Sequence, residues 1–576
     1  MSAEIILYDT FKNEWIRFRK PVQTLTAFSK EEVPAVLETI MTVVEKDHYA
    51  AGFISYEAAP AFDPALTVNP VSTFPLCWFT VYQSIESIHL EEYKKQNYEL
   101  GEWVPSIGEN RYRRDIRKIK DYIASGDTYQ VNYTYRMSST FSGDPFSFFL
   151  DLNDNQKTRY AAFLDIGDFA ICSVSPELFF QLEGTTIISK PMKGTAPRGR
   201  FFSEDMENAS WLHRSLKNRA ENIMIVDMIR NDLSRIAETG SVTVQSLYDI
   251  ERYQTAYQMT STVKAETTAS ISRIMGALFP CASITGAPKP RTMEIIAELE
   301  TTPRKLYTGC IGFMAPGRKA QFNVAIRTVI IDRKSLCAEY GIGGGIVWDS
   351  DETGELEESL TKAKVLTERR PAFELLETML WQPRQGYFLL DYHLERLKRS
   401  AVYFDYAFDE KKIKKKLERL ASNMSRKARR VRLLLAQNGR ITCRSVALHD
   451  LATRRPIRLK ISPFRVDSRN PYLYHKTTYR DLYENARKQG GDCDDIVLVN
   501  ERGEITESSI YNIVIKQNGR LLTPALSSGL LPGTLRAWLL DQNIVLEKII
   551  TMGNLRKAEE LFLINSVRKW QKAVLV

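Results

Sequence analysis

The sequence predicts an α+β protein built of two successive units. Short β-branched and aromatic runs are set between turn residues, and helical stretches interleave with them without βαβ regularity. The third sign is a charged, proline-containing break, TERRPAFE, at residues 367–374. At 576 residues the chain exceeds what one hydrophobic core supports. The expected divisions are an N-terminal subdomain over 1–110, a larger catalytic unit over 111–368 and a C-terminal unit over 369–576.

In the first hundred residues, runs such as AGFISYE and CWFTVYQ predict antiparallel strands with a few helices. A helix follows at RYRRDIRKIKDYIASGD, then strands at YAAFLDI, FAICSV and TTIISK, and one long helix near 206–239. PMKGT, at 191–195, reads as a Gly/Pro turn whose Lys193 is by composition an ordinary loop charge. The helix DETGELEESLTKAK closes the unit, and the strand FELLETMLW opens the next.

Composition excludes several classes. Hydrophobic residues at 44% and charged residues at 26% are ordinary for a globular chain. No apolar run approaches the ~18 residues of a membrane span. The start, MSAEIILYDTFKNEW, lacks a basic segment followed by an apolar one, so a cytoplasmic location and no membrane partner are expected. Seven scattered cysteines without a CxxC pair predict reduced, mostly buried thiols. The net charge of +9 concentrates in KKIKKKLERL and SRKARRVRLLL, where interspersed Leu, Ile and Val indicate solvated faces, and no nucleic-acid partner is expected.

Acidic residues recur where a metal could use them. Glu221 lies on the helix RAENIMIVDMIRNDLSRI, while Glu355 and Glu358 stand at i,i+3 with Lys362 four residues on. Alone, that EExxxK pattern is an ordinary intrahelical ion pair. Hard oxygen donors at this density suit Mg²⁺ better than zinc. GIGGGIVWDSD, at 341–351, offers glycines that can present N–H groups to an anion, and with the nearby Arg327 in IRT it resembles a carboxylate cradle.

SPELFF, PMKGT, AENIMIVDMIRNDL, SITGAPKPRTME, IRT, GGGIVWDSD and ELEESLTK occur in the order found in one family. From about residue 126 to Lys364 the chain resembles the chorismate-utilising enzymes, and among them the aminodeoxychorismate synthases. The resemblance implies Mg²⁺ held by Glu221 and Glu358, with Glu355 close behind, facing the ring carboxylate of chorismate. It assigns Arg327 and Lys362 to the enolpyruvyl carboxylate, Gly343 and Thr195 to substrate contacts, and Glu177 to protonation of the departing 4-hydroxyl. Family members that make anthranilate, isochorismate or salicylate have alanine where this chain has Lys193. The aminodeoxychorismate synthases carry PIKGT, whose lysine adds to the ring before ammonia displaces it. To do so Lys193 must be neutral, which requires desolvation or a nearby cation. Gln130 replaces a water-activating lysine and cannot act as that base, which disfavours hydration. Asn218 and Gln258 depart from the acid and the histidine usual at their positions. The sequence shows no GxCxG nucleophile elbow, so nitrogen is expected as free ammonia or from a separate glutamine amidotransferase subunit.

In the C-terminal unit, YHKTTYRDLYENARK places Lys476 between a loop and a helix, NERGEITESSIYNIVI presents Glu507 on a strand, and LLPGTLR sets Gly533 and Thr534 before a helix. An acid for a pyridinium nitrogen and a helix N-terminus for a phosphate are what pyridoxal phosphate requires. With HLERLKRSA and LINSVR, residues 373–570 resemble the class IV PLP-dependent aminotransferases, especially the aminodeoxychorismate lyases. The resemblance makes Lys476 the cofactor-bearing base, Glu507 the partner of the ring nitrogen, and Arg396, Thr534 and Ser566 the phosphate ligands. The opening strand usual in that family, with its DRG-like loop, is missing, and a homodimer through this unit is left open. The expected architecture is therefore a chorismate-utilising fold of antiparallel sheets and helices, then a smaller fold-type IV α+β domain. The expected function is synthesis of 4-aminobenzoate from chorismate and ammonia in two steps. Two rivals are an anthranilate synthase large subunit fused to a transaminase, and a synthase carrying an inert C-terminal scaffold.

Overall fold

A computed structural model of the chain describes residues 4–71, 73–367, 371–424, 427–448 and 455–576. Part of the TERRPAFE break, residues 368–370, and the first two residues of SRKARRVRLLL lie outside them. The chain divides into two compact units, Met1–Pro197 with Ala209–Arg370, and Arg198–Asn208 with Pro371–Val576. All seven cysteines are free, four of them buried.

The first unit is α+β. Its strands join through antiparallel pairing, the longest continuous register being Cys337–Ile346 against Gln130–Gly143. The helices Glu109–Ala124 and Glu352–Ala363 form where their patterns predict. So do the strands Ala162–Asp165, Phe169–Ser173 and Thr186–Lys190.

Two expectations fail for local reasons. The single long helix near 206–239 is two helices, Phe202–Arg214 and Leu216–Ser234. Between them Ser215 adopts an extended backbone and its hydroxyl accepts from the Asn218 N–H, starting a new helix with an N-cap that the apolar periodicity conceals. PMKGT is not a turn. Met192–Pro197 is a strand paired with Ala256–Glu266, its register broken between Met192 and Thr195, where Gly194 takes φ +103°. An irregular strand of this kind carries Gly for its positive φ, which is why the segment reads as a loop.

Behind the Gln130 strand lies a buried ionic network. Arg304, 1% exposed, donates to Glu300 at 2.6 Å and to the carbonyls of Asn132 and Ile284 at 2.7 and 3.0 Å. Glu300 also takes the Thr134 N–H at 2.9 Å and Arg136 at 3.3 Å. Asn132 and Ile284 are wall residues of the cavity described below.

In the second unit an antiparallel sheet of Gly386–Tyr387, Leu375–Gln382, Arg429–Leu435 and Ile441–Ala447 is covered on one face by the helices Leu390–Phe404 and Glu410–Ser422. A second, mixed sheet contains the strands Ile505–Ser508 and Asn512–Gln517, and the helices Thr534–Asp541 and Met552–Arg556 lie in sequence between its later strands. Among the described residues, no helix is long and apolar enough to cross a membrane.

Removing Glu300 leaves two buried guanidinium groups uncompensated. Glu300→Ala is expected to lose about 3–5 kcal/mol of stability, measured by chemical denaturation beside wild type.

Candidate active sites

The first unit encloses a cavity of about 360 Å³. Its wall includes Glu177, Lys193, Thr195, Glu221, Arg327, Gly343, Glu355, Glu358 and Lys362, all nine residues that the sequence assigned to this site. They come from six separate segments. The irregular strand brings Lys193 and Thr195, and the helix Leu216–Ser234 brings Glu221, one turn before its buried Ile225. The helix Glu352–Ala363 brings Glu355, Glu358 and Lys362 along one face.

The glycine strand controls what fits. A Cβ on Gly345 would collide with the Lys193 ammonium and lie 3.2 Å from the Gln130 side-chain carbonyl carbon. On Gly344 it would sit 3.3 Å from a Glu355 oxygen and 3.6 Å from Lys362 Nζ. On Gly343 it would collide with the partner strand at Tyr133 and Thr134. Lys193 is thus packed against bare backbone. Beside it Gln130 is wholly buried, with neither amide atom hydrogen-bonded.

Electrostatics follow from this enclosure. Burial lowers the pKa of Lys193, outweighing the pull of Glu221 in the other direction, and Lys362 adds to the lowering. Burial raises Glu177 to about 7, although Ser283 Oγ donates to it at 2.7 Å. Glu355 is raised by burial and by the neighbouring Glu358, against the Ser350 hydroxyl that donates at 2.6 Å. Glu358 is lowered by Lys362, whose Nζ lies 2.8 Å away and also donates to the Gly343 carbonyl at 3.0 Å. Arg327 takes a left-handed backbone, φ +49°, and donates to Gln156. The two departures have local uses: Asn218 donates to the Ser215 cap at 2.8 Å, and Gln258 accepts from Thr195 at 3.0 Å. Ser283 opens SITGAPKPRTME and carries no sequence signal of its own; its contact with Glu177 places it at the site.

Glu221, Glu355 and Glu358 offer only oxygen donors. Among the described residues, no three His, Cys, Asp or Glu side chains gather into a metal-holding cluster. Mg²⁺ is usually held by one or two carboxylates, with water and substrate completing the shell, so this donor set fits it.

The second unit holds a cavity of about 440 Å³, whose wall includes Arg396, Lys476, Glu507, Gly533, Thr534 and Ser566. Burial lowers Lys476 to about 8, and Arg396 adds to the effect. Burial raises Glu507 to about 7 despite hydrogen bonds from Tyr483 at 2.8 Å and the Leu531 N–H at 3.1 Å. Gly533 caps the helix Thr534–Asp541 at a point where any side chain would strike Asn512. Sequence reasoning missed the pair that fixes Arg396. Buried Glu377 accepts both guanidinium arms, at 2.8 and 2.6 Å, and bonds His393 Nδ1 at 2.5 Å. Burial opposes its ionisation, yet Arg396 and His393 hold it at about 2. Its signal was an acid in the middle of the apolar run FELLETMLW, the one acid of the strand Leu375–Gln382. A lysine facing the cavity, a buried acid, a locked arginine and a helix N-terminus together fit pyridoxal phosphate.

The chorismate binding enzyme family matches residues 3–368, and the class IV amino-transferase family matches residues 374–576. The chain is 39% identical over 264 residues to aminodeoxychorismate synthase component 1 of Escherichia coli (strain K12), covering 45% of this chain and 58% of that protein. It is 38% identical over 263 residues to anthranilate synthase component 1 3 of Haloarcula marismortui, covering 45% of this chain and 52% of that protein. The chain thus spans little more than half the length of either relative. Anthranilate synthase component I of Streptococcus pneumoniae superposes with a TM-score of 0.54 at 24% identity, over 64% of this chain and 92% of that one, which shows the fold.

Because folding raises the Glu177 pKa to about 7 from 4.5, the folded state binds the extra proton between those values. Stability is fully present below the lower value and is lost as pH rises through the upper one. Glu177→Gln removes that loss, so its stability relative to wild type is expected to improve by roughly 3 kcal/mol from pH 4 to pH 8, read from melting curves at both pH values.

Proposed function

The chain belongs to the chorismate binding enzyme family, and from that premise we propose that it makes 4-aminobenzoate in two reactions, an aminodeoxychorismate synthase step followed by a lyase step. The observation that carries this reading is Lys193. Identity alone favours neither of the two named relatives, but a buried lysine on the cavity wall, with its pKa lowered and an acid of pKa about 7 nearby, equips this site for covalent displacement.

In the first cavity Arg327 and Lys362 hold the enolpyruvyl carboxylate of chorismate. Bound Mg²⁺, held by Glu221 and Glu358 with Glu355 alongside, would offset the charge of the ring carboxylate. The neutral Lys193 amine forms a bond to the ring as the 4-hydroxyl leaves, and Glu177 gives that hydroxyl its proton so that it departs as water. Ammonia then bonds at the 4-position, the ring double bonds shift back, and the lysine–ring bond breaks with its electron pair returning to the Lys193 nitrogen. The product is 4-amino-4-deoxychorismate. Ammonia is supplied in solution or by a separate amidotransferase.

In the second cavity bound pyridoxal phosphate would supply an electron sink for the new amine. Arg396, clamped by Glu377, with Thr534, Ser566 and the Gly533 helix end, would hold its phosphate, and Glu507 would face its ring nitrogen. Lys476, with a pKa near 8, is readily available as a neutral base to remove the adjacent ring proton. The bond from the ring to the enolpyruvyl oxygen breaks, pyruvate leaves, and the ring becomes aromatic. The division at about residues 110 and 368 is part of this proposal.

Product analysis from chorismate, ammonium salt and pyridoxal phosphate separates the readings. Wild type is expected to give para-aminobenzoate, Lys476→Ala to accumulate aminodeoxychorismate, and Lys193→Ala to give little of either. An ortho product would instead identify an anthranilate synthase, and para product from both variants would refute the scheme.

Gly345→Ala provides a gentler probe, because the colliding atom is the mobile end of Lys193. Its melting temperature should stay near that of wild type while kcat for the synthase step falls by about 100-fold.

A further inference from the structure

We propose that Arg430, Arg432 and Arg444 form a carboxylate-reading wall in the second cavity, and that this wall selects a cyclic amine bearing two carboxylates. The proposal rests on the lyase reading of that cavity and names what its substrate must carry.

The strand Arg429–Leu435 alternates strictly. Val431, Leu433 and Leu435 are buried beneath the two covering helices, while Arg430 and Arg432 point to the opposite face and are exposed. The neighbouring strand places Arg444 directly opposite Arg432 and Val446 opposite Arg430, with Thr378 beside Arg432 on the other side. All three arginines line the cavity that contains Lys476 and Glu507.

Like charges directly opposite on antiparallel strands, with Cβ atoms about 5 Å apart, repel one another and destabilise a sheet. Here nothing relieves them. Among the described residues, none of the three has an acidic or hydrogen-bonding partner. The one carboxylate on the cavity wall, Glu507, is engaged by Tyr483, Leu531 and Asn512. Two further arginines of the wall are committed too: Arg396 to Glu377, and Arg480 to the Ser509 carbonyl and the Tyr483 ring. The wall therefore lacks its anion. One carboxylate would leave at least one of the facing arginines uncompensated, whereas two carboxylates on one ring could engage both, each through a planar guanidinium fork. An amine presented to Lys476 with its carboxylates turned toward this sheet meets that demand.

The test uses the full chain with its first cavity disabled by Arg327→Gln and Lys362→Gln, titrated calorimetrically with 3-(carboxymethoxy)benzoate and with 3-methoxybenzoate. The dicarboxylate is expected to bind about tenfold more tightly than the monocarboxylate, the scale of one charged hydrogen-bonded contact. Adding Arg432→Gln and Arg444→Gln should reduce that preference below about threefold, while Arg432→Lys with Arg444→Lys should restore part of it. Cofactor uptake, followed by its absorbance, should be equal in all variants. The inference is overturned by an undiminished preference in the glutamine variant, by no binding of the dicarboxylate, or by cofactor uptake that falls with the arginines, which would assign them to the cofactor phosphate. A chain that shows the arginine-dependent preference but takes up no cofactor would overturn the lyase reading and leave the wall in place. Melting curves show whether each variant is folded, and the lysine pair carries the test if the glutamine pair is not.

Discussion

The first cavity depends on a β-strand that gives up its side chains. Gly341, Gly343, Gly344 and Gly345 lie in one continuous register against the Gln130 strand, and each would meet another group if it carried a Cβ. The Tyr307 ring fills the space at Gly341, Glu355 and Lys362 approach Gly344, and Lys193 lies over Gly345. Glycine weakens an isolated strand. The ten paired residues of its neighbour, themselves anchored through Asn132 and Thr134 to the Glu300–Arg304 network, compensate for that weakness. The ionic core thus supports the bare strand, and the bare strand leaves room for Lys193.

Both cavities tune their groups by the same means. Removing water disfavours charge, so Lys193 and Lys476 fall while Glu177 and Glu507 rise to about 7. Burial does not act alone, as Glu377 shows. It is as deeply enclosed as Glu507, yet it lies at about 2 because Arg396 binds both its oxygens and His393 a third lone pair. A carboxyl with a bidentate cation is a fixed anchor, and one held by neutral donors can exchange a proton near neutrality. The second unit places one of each in or beside a single cavity, which separates positioning from chemistry.

Chemistry was more legible in the sequence than geometry. The α+β class and the helix carrying Glu355 and Glu358 follow from residue types at fixed spacings, while the company of Lys193 follows from the resemblance of its motifs to the chorismate-utilising enzymes. What stayed hidden depends on partners distant in sequence. PMKGT looks like a turn because its glycine has a positive φ, and only pairing with Ala256–Glu266 makes it a strand. Glu377 and Arg396 stand on different elements and reveal their pairing only when the helix covers the sheet. RRVRLLL was read as a solvated face, and its alternation is indeed one face buried and one open. Composition cannot say that the open face looks into a cavity.

The charge inventories of the two cavities differ in what a ligand bringing two carboxylates would require of each. Glu177, Glu221, Glu355 and Glu358 stand against Lys193, Lys217, Arg327 and Lys362 on the first wall. If Lys193 is neutral and Glu177 protonated, as burial favours, three carboxylates still face three cations. A ligand bringing two carboxylates would leave that cavity two charges short, which one divalent cation supplies. The second wall sets Arg396, Arg430, Arg432, Arg444, Arg480, Arg568 and Lys476 against Glu507 alone. Even after Glu377 is paired with Arg396 and a phosphate is added, cations remain in excess, and the same two carboxylates can enter without a metal. The two cavities would therefore offset the desolvation of a dianion in opposite ways, the first by recruiting charge and the second by storing it on a sheet.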